Sequence, residues 1–362
     1  MTASNRHILI INHTRERHGS EHVMLETLRQ CRAQGWRVTL VLPVNRPDGG
    51  LAQAVGEDTE ILYLNYKNSG EGLLRSLAIE WYNLPALVRL VRWIRKHPVD
   101  AIYTNTSVML LGVEAARWTH TPHIWHWHEL PTGAFGWPKA SLLLLRHWWR
   151  RSTRILFISR LQQEQWQKAL GTRIDNGQVI YNPVRTIRAT HKTTSDTLRV
   201  GYIGSMEPRK NLDWLKQTVS SLTDEYAIRL DLYGAEQALT DGPIQIHPFT
   251  PDVTSVYADM DIFVLPSWSE TMPLVVLEAM QAGVCVLQTN QSGMPQIMQD
   301  GDTCLFINPY EPDSLRTALI RCMDASYRTE IATRGQRFVQ QWMATHNYAQ
   351  QIIARFNQCF KH

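Results

Sequence analysis

Short unbroken apolar runs alternate along this chain with stretches whose apolar residues recur at helical spacing. Residues 7–11, 36–42, 60–64, 101–104, 123–127, 154–159 and 178–181 read as strands, since continuous apolar or β-branched runs suit strands covered on both faces. Between them, 23–35, 84–96, 108–118 and 161–170 repeat apolar residues every three or four positions and read as helices. A second series follows, with strands at 198–203, 228–233, 244–247, 262–265, 284–288 and 304–307. Its helices are expected at 212–222, 253–260, 273–283, 314–324 and 327–360. The alternation predicts an α/β chain of two Rossmann-like domains, each a doubly wound parallel sheet, facing a cleft. Residues 185–197 are polar with one strong apolar residue, which suggests a linker. The expected domains are 1–190 and 191–340, with 341–362 returning to the first.

One stretch organises the second domain. Ile262 to Leu265 is an apolar strand, Pro266 ends it, and Ser267 and Ser269 supply turn residues. Pro273 suits the first turn of a helix, Leu274, Leu277, Met280 and Ala282 continue at helical spacing, and Gly283 stops it. The start of such a helix offers N–H groups and positive dipole charge, which suits a phosphate. Glu270 and Glu278 punctuate the unit. Eight helical residues rise about 12 Å, too far for a glycosidase pair at roughly 5–9.5 Å. The two carboxylates then either touch different parts of one elongated ligand or serve as a dipole partner and a solvated helix glutamate.

Other polar residues gather at strand ends. Gly204 and Ser205 follow strand 198–203 and permit close backbone approach, and Arg209 and Lys210 stand at the next helix start. Cations there oppose the helix dipole, so an anion such as a diphosphate explains them better than stability does. Gly19-Ser20 precedes the first helix in a comparable loop. In 123–129, strand alternation puts His126 and His128 on one face and Trp125 and Trp127 on the other. The His-x-His pair invites a metal, but a hydrogen-bonding histidine beside Glu129 is the favoured reading. Asp259 and Asp261 resemble a metal-binding Asp-x-Asp pattern yet sit where a turn residue is needed.

Composition limits the alternatives. A chain of 362 residues with 44% hydrophobic and 19% charged residues is globular and long enough for two cores. It has no apolar run near the length of a membrane span and no signal-peptide pattern. Five scattered cysteines lack zinc or disulfide-scaffold spacing and fit a reducing cytoplasm. Charge is uneven: residues 1–190 hold 24 Lys/Arg against 14 Asp/Glu, and 191–362 hold 13 against 19. Between Glu129 and Glu164 lie Lys139, Arg146, Arg150, Arg151, Arg154 and Arg160, interleaved with Leu142 to Leu145, Trp148 and Trp149. That reads as a membrane-surface element or as a packing helix with snorkelling arginines, and 87–96 is a second basic-aromatic stretch. Nucleic acid is a distant alternative for the basic half.

Together these motifs resemble a family. Glu270 and Glu278, within Pro-Ser-x-x-Glu-x-x-Pro-Leu-x-x-x-Glu-Ala-Met, are similar to the Glu-x7-Glu signature of retaining GT-B glycosyltransferases of the group 1 / family 4 type. Gly19-Ser20, His128-Glu129, Tyr181-Asn182-Pro183, Gly204 through Lys210 and Ser292 to Pro295 resemble further family elements, so the likeness runs over nearly the whole chain. It implies transfer of a sugar from a nucleotide diphosphate donor to a glycan or polyprenyl-linked acceptor, with retention and without a metal or other cofactor. Surface-polysaccharide synthesis at the inner membrane face is the implied setting, with the basic first domain against an anionic membrane and no role for nucleic acid. Glu270, His128 and Lys210 would be catalytic. Glu278 would hold the ribose, and Gly19, Ser20, Asn182, Gly204, Ser205, Arg209 and the 271–274 segment (Thr271, Met272, Pro273, Leu274) would complete the donor site. The family's diphosphate arginine falls on Ser205, with Arg209 expected to point elsewhere. Thr271, Cys285 and Gln296 are further departures, and a catalytically weak sugar-nucleotide-binding scaffold is the alternative.

Overall fold

The computed structural model of the chain describes residues 6–16, 19–44, 46, 49–68, 73–131, 148–189 and 196–360. It divides into two compact units, Met1–Pro183 with Asn347–His362, and Val184–His346.

Unit one is built on strands β1 (His7–Ile11), β2 (Arg37–Pro43), β3 (Glu60–Leu64), β4 (Ala101–Thr104), β5 (His123–Trp127), β6 (Arg154–Phe157) and β7 (Gly177–Val179). They form one parallel sheet in the order 3-2-1-4-5-6-7. The order reverses between β1 and β4, where Ile11 pairs with Thr104. Chains leaving these two strands turn to opposite faces, which opens a crevice at the strand ends. One face of the sheet is covered by helices Gly19–Ala33 and Tyr348–Cys359, through Val23, Met24, Leu28, Ile352 and Phe356. Helices Leu73–Lys96 and Leu111–Thr119 cover the other, through Leu87, Leu90, Ile94 and Ala115. A third cluster joins Trp125, Trp127, Trp149, Phe157 and Trp166.

Two expectations change here, and a third falls largely outside the described residues. The helix expected over 327–360 is two, Ala325–Thr345 and Tyr348–Cys359, because Asn347 caps the second by accepting from the Gln350 N–H at 3.0 Å. The helix expected to begin at residue 84 begins at Leu73 and runs through Pro85. Its first turns expose Leu74, Leu77 and Trp81, so they carry no core-facing stripe for periodicity to detect. Of the basic Leu/Trp stretch, Lys139, Leu142 to Leu145 and Arg146 lie outside the described residues. Trp149 is buried in the third cluster, and Trp148 Nε1 donates to Glu114, so these two tryptophans serve packing.

Unit two repeats the plan with β8 (Leu198–Ile203), β9 (Ile228–Ala235), β10 (Leu239–Asp241), β11 (Ile244–Pro248), β12 (Ile262–Leu265), β13 (Cys285–Thr289) and β14 (Leu305–Ile307), ordered 10-11-9-8-12-13-14. The reversal lies between β8 and β12. Strand β10 is an antiparallel edge strand whose three residues are all exposed, and so it has no apolar signature. The break between the units falls at Pro183/Val184, ahead of the polar 185–197 stretch. Arg185 bonds Glu278 and the Ile187 N–H bonds Gln281 Oε1, so the start of that stretch belongs to unit two.

Candidate functional site

In unit two the loops after β8 and β12 meet at the sheet's reversal point. Lys210 Nζ lies 2.5 Å from Glu270 Oε1, and Ser267 Oγ donates to the same oxygen at 2.9 Å. The Glu270 N–H is anchored to the Gln291 carbonyl at 2.9 Å. Arg209 does not point elsewhere: its Nη1 is 3.5 Å from Glu270 Oε1, while its Nε holds Glu207 at 2.6 Å. A single 3-10 turn, Pro208–Lys210, ends in Asn211 at φ 55°, a conformation that Asn tolerates. The turn brings both cations toward the β12 loop, and the Trp268 N–H bonds the Arg209 carbonyl at 3.0 Å.

The remaining unit-two candidates divide into those free to approach a ligand and those used by the protein. Gly204 is needed by packing: a Cβ there would lie 2.5 Å from the Tyr202 hydroxyl, and one on Gly234 would lie 2.1 Å from the Gly204 carbonyl. The Ser205 carbonyl accepts from Tyr202 Oη at 2.8 Å. Met272 is buried, and the Thr271 carbonyl accepts from the Gly293 N–H at 3.0 Å. Thr271 and Leu274 are half-buried at the start of helix Leu274–Gln281, which Pro273 precedes in extended conformation. Glu278 is only 2% exposed and accepts from Arg185 Nε at 2.9 Å and Tyr257 Oη at 3.2 Å. Arg185 carries no signal in the sequence, since it sits in the polar 185–197 stretch, and only the fold brings it back over residue 278.

The Asp259/Asp261 pair is structural. Arg199 bonds Asp261 through Nη2 at 2.9 Å and Asp259 through Nη1 at 3.1 Å. Burial pushes the Asp261 carboxyl up, but the Arg199 hydrogen bonds and charge outweigh it and hold the pKa below the usual range. Among the described residues no cluster of three or more His, Cys, Asp or Glu side chains is placed to hold a metal. A pocket of about 620 Å³ opens beside the 206–213 segment against Leu239, Ile246 and Trp268, but Glu270 and Glu278 do not line it.

In unit one a polar cluster fills the crevice beyond β1, β4 and β5. As alternation predicts, Trp125 and Trp127 face the aromatic core, while the His126 and His128 rings lie 4.3 Å apart. His128 Nε2 is 3.0 Å from Asn105 Oδ1. Glu129 accepts from Thr106 Oγ1 at 2.7 Å, Ser107 N at 2.8 Å and Ser107 Oγ at 2.6 Å. Its backbone carbonyl is held by Gln162 Nε2 and Trp166 Nε1. Burial raises the Glu129 pKa, yet His128, His13 and the Ser107 bonds bring it below the ordinary carboxylate value. Gly19 opens helix Gly19–Ala33 with clear space beside its Cα, and Ser20 Oγ donates to the buried Glu21 at 2.9 Å. Asn182 is buried with its side-chain oxygen unpartnered among the described residues. Asn12, Glu21 and Asn105 were not singled out from sequence, since buried polar residues outside a known motif carry no pattern of their own.

Burial lowers the pKa of His123 to about 3, of His128 to about 4, and of His126 well below its ordinary value. All three imidazoles are therefore neutral at pH 7.

Known proteins share this plan. The model described as Glycosyltransferase Family 4 matches residues 17–188, and that described as Glycosyl transferases group 1 matches 197–325. The chain is 31% identical over 148 residues to an O-antigen chain mannosyltransferase B of Escherichia coli, covering 36% of this chain and 38% of that one. It is 25% identical over 286 residues to the sulfoquinovosyl transferase SQD2 of Arabidopsis thaliana, covering 69% and 54%. It thus spans about half the length, or less, of these two relatives. The crystal structure of Anabaena HepE in complex with UDP-glucose superposes with a TM-score of 0.77 at 18% identity, over 97% of this chain and 99% of that one. With two Rossmann-like units, each matched by one of these models, the chain belongs to the group 1 / family 4 glycosyltransferases of the GT-B fold.

Proposed function

We propose that this protein transfers a sugar, with retention, from a nucleotide diphosphate donor to a glycan or lipid-linked acceptor in surface-polysaccharide synthesis. The observation that carries the reading is the convergence of Lys210 and Arg209 on Glu270 beside the start of helix Leu274–Gln281. Two cations and helix N–H groups suit a diphosphate whose negative charge grows as its bond to the sugar breaks. The anomeric C–O bond to the diphosphate breaks, the acceptor hydroxyl oxygen bonds the anomeric carbon, and its proton passes to the leaving diphosphate. Glu270 positions the cations and a sugar hydroxyl, and Glu278, oriented by Arg185 and Tyr257, takes the ribose hydroxyls. Arg209 supplies the second cation that Ser205 lacks, so the chemistry needs no metal. The O-antigen relative supports a polysaccharide product.

Incubation with UDP-, GDP-, ADP- and CDP-sugars tests this. One nucleotide is expected to stabilise the protein by about 2.7 kcal/mol at a hundredfold excess over its Kd, and its sugar to be transferred with the anomeric configuration kept. Tight nucleotide binding without turnover would favour the scaffold reading, and inversion would remove retention.

A second surface of unit one also suits the membrane partner. Among the described residues no helix is long and apolar enough to cross a membrane. Residues 87–96 give their apolar side chains to the core, whereas Leu74 and Trp81 are 83% and 75% exposed. Leu74, Leu77, Trp81 and Leu84 share one helical face, near exposed Arg75 and Arg89. This apolar face with cationic flanks suits an anionic bilayer at the inner face of the cytoplasmic membrane. Cosedimentation with phosphatidylglycerol-containing vesicles is expected to fall roughly tenfold or more in the Leu74→Ser/Trp81→Ser variant, each side chain giving up about 1.5–3 kcal/mol of burial. Unchanged cosedimentation would exclude this face.

A further inference from the structure

We propose that Asn105 is a positioning residue: it holds His128 with its proton on Nε2, so that Nδ1 is presented as the hydrogen-bond acceptor for a hydroxyl of the sugar substrate. The hydroxyl's identity rests on the glycosyl-transfer reading above; the tautomer does not.

Several groups in this cluster can play only one hydrogen-bonding role. Asn12 Nδ2 lies 3.0 Å from the Thr14 carbonyl and 3.2 Å from Glu21 Oε1. Both are acceptors, so this end of the Asn12 amide must be the NH2 and the other end its oxygen. That oxygen lies 3.0 Å from Asn105 Nδ2, whose second neighbour is the Ser20 carbonyl at 3.1 Å. Both protons of the Asn105 amide are thereby committed. The atom it turns to His128 Nε2 at 3.0 Å is its carbonyl oxygen, which cannot donate. His128 must donate, so Nε2 carries the proton and, in the neutral ring, Nδ1 carries the lone pair. No hydrogen bond of Nδ1 is formed among the described residues.

The chain Glu21–Asn12–Asn105–His128 crosses the ends of three neighbouring strands, β1, β4 and β5, and Glu21, Asn12 and Asn105 are completely buried. Burying such a network opposes stability unless every member is satisfied, and orientation of one imidazole is what this network achieves. The ring is neutral because burial, with a smaller contribution from His13, lowers its pKa to about 4 against the opposing pull of Glu129 and Glu21. The groups facing it are Glu129 beside it, Glu21 from helix Gly19–Ala33, His13 from the loop after β1, His126 on β5, and Tyr103 on β4 through Asn105. The other tautomer would present a donor where this one presents an acceptor and would force the substrate hydroxyl to reverse its hydrogen bond, the kind of error that is costly where a third residue orients a working histidine.

Long-range 1H–15N correlation spectra of the full-length protein labelled with 15N-histidine test the tautomer directly, with His128 identified by signals lost in His128→Gln. The expected wild-type spectrum at pH 7 has His128 protonated at Nε2 and unprotonated at Nδ1. Protonation at Nδ1, or at both nitrogens, would overturn the proposal. In folded Asn105→Leu the two tautomers are expected to mix, and kcat to fall about tenfold or more with donor KM within twofold. Full kcat in Asn105→Leu with a mixed tautomer would remove the acceptor role. A wild-type protein that transfers no sugar yet shows the Nε2–H tautomer would support the orienting chain while overturning the glycosyl-transfer reading.

Discussion

Lys210→Ala is expected to lower sugar transfer by roughly 10²–10³-fold, the cost of removing one preorganised charge partner of a leaving group. Lys210 is only 12% exposed and is held against Glu270, so its ammonium is aimed before any ligand arrives. Glu270→Ala should do comparable damage, because it removes the carboxylate that aims Lys210 and leaves the cation free to reorient. The two changes share one interaction, so the double variant should be little worse than the poorer single one. Arg209→Ala should cost less, since this side chain is 44% exposed and divided between Glu207 and Glu270. Single-turnover rates at saturating donor provide the check. A Lys210→Ala enzyme within twofold of wild type would place the leaving group elsewhere.

Acid is expected to destabilise unit one through its buried histidines, from about pH 6.5 downward. His123 is 1% exposed, its two ring nitrogens meet the Ser152 and Thr104 hydroxyls at 2.9 Å each, and burial lowers its pKa to about 3. An unfolded histidine takes up a proton near pH 6.5, whereas this one stays neutral in the fold until about pH 3. Between those values the unfolded state binds more protons, so stability present above pH 6.5 is lost as pH falls. The slope is on the order of 1 kcal/mol per pH unit for His123 alone; His126 and His128 act in the same direction, and Glu80, whose carboxyl burial raises to about 7, opposes them in part. Urea midpoints measured between pH 7.5 and 4.5 should therefore fall steeply below 6.5, and His123→Gln should flatten the curve. A midpoint independent of pH over that range would show that the β5 histidines are not buried neutral.

Much of this was legible in the sequence because the chemistry is local. Residues 123–127 read as a strand with alternating histidines and tryptophans, and that is how β5 is built, with His128 just past its end. The 262–283 stretch likewise declared its strand, turn and helix, with Glu270 in the turn and Glu278 on the helix. Failures fell where the local signal was weak or ambiguous. Leu239–Asp241 pairs as an edge strand with no apolar face, and the first turns of Leu73–Lys96 present their apolar side to the surface. Gly204 is also required by packing against Tyr202 and Gly234, a contact that no pattern within the loop contains.

The sequence by itself determined the two α/β units and the strand ends at which their polar residues collect, because periodicity of 2 or 3.6 and turn residues act over a few positions. Tertiary structure alone decided which of those residues meet. Arg209 and Lys210 reach a carboxylate 60 or so positions away, Arg185 reaches Glu278 across 93, and Asn105 joins Asn12 to His128. Such contacts depend on strand order, on the reversal points of the two sheets and on which buried polar groups must find partners, and these are settled only when distant segments pack.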